Sequence, residues 1–107
     1  MVPGVGDVGP VVKLDPFLVS EWEGDQQRYV SSTIELEMND EHGRKFILTH
    51  SDEIRAAILA LMADMRMTSL GDASDYERLK TQVLNRIQPL LPGAPIRHVL
   101  LTEFLIE

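Results

Sequence analysis

Glu35 and Glu37 stand two residues apart in a run that alternates apolar and polar, Ile34-Glu35-Leu36-Glu37-Met38. On an extended strand they share one face about 7 Å apart, a separation at which two carboxyl groups can divide a hydrolysis between them. The same pattern arises wherever a half-buried strand turns one face to water, and that reading requires no catalysis. His42, His50 and His98 lie in three different stretches without H-x-x-x-H or similar ligand spacing. Ser20, Ser31, Ser32 and Ser51 have no nucleophile-elbow pattern around them, and Ser31-Ser32 reads as part of a polar outer strand face. Gly4-Val5-Gly6-Asp7-Val8-Gly9 spells G-x-G-x-x-G, but Pro10 and Val11-Val12 follow where a helix N-terminus is required, so it reads as a linker. No cysteine is present, which removes thiol and disulfide chemistry. The expectation is a non-enzymatic chain with no catalytic, cofactor-binding or metal site.

Contact residues are better candidates than reactive ones. Trp22 sits in an acidic stretch, and an exposed Trp is a common interface anchor. Tyr29, Thr33, Glu35 and Glu37 share the polar face of one strand and could meet a partner there. Glu103 interrupts a strand that is otherwise apolar. A charge in such a place costs several kcal/mol unless it is paired or reaches an edge. Its partner could be Arg55 or Arg28 inside the fold, or a group across a subunit boundary. Met62, Met65 and Met67 could form an adaptable patch or fill the core, Met67 alone departing from the helical stripe.

These side chains need elements to hold them. Residues 1–10, rich in Gly and Pro, read as a flexible leader, and 11–107 as a single domain. Residues 11–19 suggest a strand bent at Asp15-Pro16, 21–27 an exposed loop, and 28–39 a strand with Val30, Ile34, Leu36 and Met38 on the core side. Residues 40–49 are ambiguous, since Gly43 weakens a helix. Thr49 followed by Asp52 resembles a capping box opening a helix with Ile54, Ala57, Ile58, Leu61, Met62 and Met65 on one stripe. Gly71 suits a helix C-cap. Ser74-Asp75-Tyr76-Glu77 resembles a second capping box, with Tyr76, Leu79, Val83, Ile87 and Leu91 in line behind it. Pro92-Gly93 and Pro95 then turn the chain into a last strand over 96–107, apolar at odd and even positions and therefore expected to be buried on both faces. Strand, strand, helix, helix, strand predicts an α+β domain, a small sheet of about three main strands with two or three helices packed on it.

The chain has 107 residues, and 17 acidic against 10 basic side chains give a net charge of −7. This argues against a nucleic-acid surface and against docking on anionic lipid. The longest apolar run, residues 56–63, falls far short of the roughly 20 residues of a spanning helix.

Five segments, in this order and spacing, resemble the FliL family of flagellar basal-body-associated proteins. They are Leu14-Asp15-Pro16-Phe17-Leu18-Val19; Arg28-Tyr29-Val30 leading into Ile34-Glu35-Leu36; Glu53-Ile54-Arg55; Leu84-Asn85-Arg86-Ile87; and 99–106 with Thr102-Glu103-Phe104. The resemblance implies a stomatin-like (SPFH-like) domain on the periplasmic side of the bacterial inner membrane, joined to a single N-terminal membrane helix outside this chain. It implies self-association into rings or partial rings around flagellar stator units of the MotA/MotB type, promoting torque and motility. An alternative from another class is a membrane-anchored periplasmic ligand-sensing or adaptor module, which would show an apolar pocket with convergent polar groups.

Overall fold

The computed structural model describes residues 9–107. The leader and the G-x-G-x-x-G stretch lie outside the described residues except for Gly9 and Pro10. The elements run β1 (Val11–Lys13), β2 (Phe17–Glu23), β3 (Gln26–Met38), α1 (Glu41–Thr49), α2 (Ser51–Asp64), α3 (Ala73–Ile87) and β4 (Ile96–Ile106), with 3-10 turns at Met67–Ser69 and Gln88–Leu90. The fold is α+β, an antiparallel sheet with three helices against one face.

β3 is the spine. Phe17↔Ser32 to Glu23↔Gln26 pair one half of its first edge, and Val11↔Glu37 to Lys13↔Glu35 pair the other half. β1 and β2 are thus one line of chain broken at Leu14-Asp15-Pro16, as the proline requires. β4 lies on the opposite edge of β3 from Val30↔Ile106 to Met38↔Ile96. Its C-terminal end is fastened by Glu107, whose N–H and C=O both bond to Tyr29 at 2.7 and 2.8 Å.

Residues 21–27 are not a loop. β2 continues to Glu23, and a two-residue turn follows with Gly24 at φ +66°, the conformation a tight hairpin asks of its first central residue. Glu21 hid the strand because its acid points toward the helices. It accepts from the Met67 and Thr68 N–H groups at 2.8 and 3.3 Å and from the Thr68 hydroxyl at 3.0 Å. Residues 41–49 are helical despite Gly43. Asp40 caps the Gly43 N–H at 3.0 Å, and the missing side chain lets α1 approach β3, since a Cβ there would lie 3.1 Å from Met38 Cβ.

Both expected capping boxes are displaced. α1 runs almost directly into α2 through His50, which makes no side-chain cap, and the Thr49 hydroxyl donates instead to Lys45 O. The true box at α3 begins two residues earlier. Asp72 accepts from Asp75 N–H, and Asp75 reaches back to Gly71 N–H, both at 3.0 Å. Gly71 is not a C-cap: α2 ends at Met65 in an extended conformation.

The core lies between sheet and helices, with Phe17, Val30, Ile34, Leu36 and Met38 facing Ile54, Ile58, Leu79, Val83 and Ile87. Met62 and Met67 are fully buried in it, which removes the methionine binding patch. Ser32 also faces the core rather than solvent, between Phe17 and Phe104 in register, and its buried hydroxyl has no hydrogen-bond partner. The bend at Asp15-Pro16 is held from α2. Arg55 donates to Asp15 O at 2.7 Å and Pro16 O at 3.3 Å, and its guanidinium stands 4.3 Å from the Phe17 ring centroid. No helix among the described residues is long and apolar enough to cross a membrane.

Candidate functional site

All helices pack on one side of the sheet, and the register defines the other side row by row. Its rows read Trp22–Gln27, Ser20–Tyr29, Leu18–Ser31–Leu105, Thr33–Glu103, Lys13–Glu35–Leu100 and Val11–Glu37–His98. Antiparallel sheets often leave such a face to water, with polar side chains on it. This one is mixed. Of the seven large apolar residues exposed among the described residues, six belong to these rows: Val11, Leu18, Trp22, Tyr29, Leu100 and Leu105. Trp22 at 63% and Leu18 at 65% exposure lie two positions from Ser20 on either side, so all three line one strand face.

β4 was expected to be buried on both faces, and it is not. Among the described residues its only neighbour in the sheet is β3; Val99, Leu101, Phe104 and Ile106 pack partly on the core while Leu100 and Leu105 are exposed. Two extra residues, Thr102 opposite the Thr33/Ile34 step and Arg97 opposite the Glu37/Met38 step, bulge from the strand. Each bulge resets the alternation, which is why apolar residues fall at odd and even positions without double-sided burial.

The six residues singled out from the sequence all reach this face. Trp22 is on β2 rather than in a loop. Tyr29 stands diagonal to it, its hydroxyl donating to Gln27 Oε1 at 3.2 Å. Thr33 is only 2% exposed, and its hydroxyl donates to Glu103 Oε2 at 3.3 Å. That bond corrects both expected partners of Glu103. Arg55 is engaged at the Asp15-Pro16 bend, and Arg28 donates to Glu107 O at 3.3 Å and pairs with Glu23. Glu103 is tolerated because it lies exposed on an edge strand and shares a hydroxyl.

Glu35 and Glu37 differ in environment despite their shared face. Glu35 is half-buried between Lys13 and Leu100 in register. Glu37 is drawn into a polar cluster with Gly9, Arg97 and His98. Bonding from the Gly9 N–H, then from His98, outweighs desolvation and holds its carboxyl below the usual glutamate value, with the Arg97 and His98 charges adding to the effect. The face therefore has an apolar end around the Gly24 turn and a charged end around Glu37.

Leu18, Leu100, Leu105, Val11 and His98 were missed as face residues. The signal for Leu18 was present, since Phe17 and Val19 alternate with Leu18, Ser20 and Trp22. For β4 it was not, because the bulges cannot be read without the partner strand. Of the other histidines, His42 and His50 flank Phe46, the Phe46 and His50 rings stacking with centroids 4.3 Å apart.

The sequence profile of the family described as "Flagellar basal body-associated protein FliL" matches residues 11–106. "Flagellar protein FliL" of Aquifex aeolicus (strain VF5) is 29% identical over 102 residues, covering 94% of this chain and 63% of the relative. The chain thus spans a little under two thirds of that relative's length.

Proposed function

The chain belongs to the FliL family of flagellar basal-body-associated proteins, and on that premise we propose that it is the periplasmic domain of a non-enzymatic motor accessory protein. In this reading the domain is stomatin-like and a single membrane helix precedes it in the full-length protein. Copies assemble as a ring or partial ring around stator units of the MotA/MotB type and support torque. Membrane anchoring raises the local concentration, so contacts too weak to hold the free domain together suffice at the motor.

The observation that supports this most is the uncovered sheet face, where Trp22, Leu18, Tyr29 and Leu105 present apolar surface beside polar groups. Exposed aromatic and aliphatic side chains rimmed by polar residues are what interface anchors require. Of the six residues singled out on this face, Trp22, Tyr29, Glu35 and Glu103 are proposed as direct contact residues, with the buried Thr33 and Glu37 beneath them as their support. The test is crosslinking in motile cells that carry the tagged full-length protein. Stator proteins should co-purify with wild type, and recovery should fall at unchanged protein level when Trp22→Ala and Leu18→Ser are combined. Absence of stator proteins from the crosslinks, in cells that swim normally without the gene, would overturn the reading.

A further inference from the structure

Glu37 stands on the open face yet is only 9% exposed, and the groups that enclose it come from two other parts of the chain. Its Oε2 accepts from the Gly9 N–H at 3.1 Å and lies 3.6 Å from Arg97 Nη1; its Oε1 is 3.2 Å from His98 Nδ1. Gly9 is also positioned from the β3 backbone. Pro10 O accepts from the Met38 N–H at 2.8 Å, and a Cβ on Gly9 would lie 1.6 Å from Met38 O. Only glycine can pass this close to a carbonyl while aiming its N–H at the carboxylate. A solvated strand face requires none of these features.

We infer that Glu37 is a clasp: its ionised carboxylate fastens the incoming chain at Gly9 to the end of the sheet where β3 and β4 meet. The carboxylate then holds Gly9 and Pro10 against the end of the sheet, and removing or protonating it releases the Gly9 amide. An ionised carboxylate only accepts hydrogen bonds, which matches the donors around it; a protonated one must place a donor among them. Among the described residues, the basic groups facing Glu37 are Arg97 and His98 of β4. Gly9 contributes its N–H, Val11 of β1 is the cross-strand neighbour, and Glu35 is the next acid along the same face. Folding favours the ionised form, so the clasp is closed above the ordinary carboxylate range and opens as pH falls through the lowered Glu37 value.

The test is an NMR pH titration with amide hydrogen exchange on the ¹⁵N-labelled chain, for wild type, Glu37→Gln and Glu35→Gln. In wild type the Gly9 amide shift should titrate with an apparent pKa below that of an ordinary glutamate. In Glu37→Gln that titration should vanish and the Gly9 protection factor should drop about tenfold or more, the scale of losing a bond to a charged group. Glu35→Gln should leave both unchanged. Protected Leu36 and Ile34 amides report that each variant is folded. If Glu37→Gln does not fold, the wild-type titration decides alone. A Gly9 amide that does not titrate, titrates at an ordinary carboxylate value, or keeps its protection in folded Glu37→Gln would overturn the clasp.

Discussion

Ser32 is the residue whose type disagrees most with its place. Its hydroxyl is buried without a partner in the core, on a strand whose other core-facing positions are Val30, Ile34, Leu36 and Met38. Its size accounts for it better than its polarity. Phe17 and Phe104 sit directly opposite on the two neighbouring strands, and a small side chain between two aromatic rings avoids overpacking. Alanine keeps the volume and removes the unpaired group, so Ser32→Ala should stabilise the domain by about 1 kcal/mol or less. A rise in the urea midpoint with an unchanged slope would show it, and a loss of stability would mean the hydroxyl has a partner in solution. Glu21 is the converse case, an acid on the core side that is tolerated because it supplies the acceptors for the Met67–Ser69 turn.

At the scale of elements, two of the sequence segments that carry the family resemblance prove to be one structural unit. Arg55 of α2 closes over the Leu14-Asp15-Pro16-Phe17 bend, donating to two carbonyls and lying across the Phe17 ring. Those groups need a planar fork, so Arg55→Lys should recover little of the roughly 1–2 kcal/mol lost in Arg55→Ala. Chemical denaturation of both variants checks this; full rescue by lysine would reduce the contact to a point charge. The main strand, the stripes of α2 and α3 and the broken first strand were legible because hydrophobic period and proline chemistry are local signals. The β2–β3 hairpin and the exposed side of β4 were not. Their explanations lie in Glu21 meeting a turn 46 residues away and in bulges that exist only relative to β3. The clasp at Glu37 escaped for the same reason, since Gly9, Arg97 and His98 are remote from it in the chain.

For the molecule as a whole, one sheet face is covered by the helices and the other carries the contacts of the proposed assembly, so substitutions on the two faces should act on different properties. Leu18 and Leu105 are exposed in the single domain, so Leu18→Ser with Leu105→Ser should change stability by only about 0.5 kcal/mol or less. Leu36→Ser on the opposite face should prevent folding. Sedimentation of the double variant should show weaker self-association at high concentration than wild type. Equal association would move the contact off this face. One further consequence follows from where the chain joins the sheet. Gly9 is bound beside Met38, the last residue of β3, and Glu107 beside Tyr29 near its start, about 30 Å apart at about 3.3 Å per residue. Tension applied between these points runs along the strands, so the ladders on both sides of β3 bear it in shear, many bonds sharing the load instead of opening one at a time. A domain strung this way can transmit a pull lengthwise as a tie rod does.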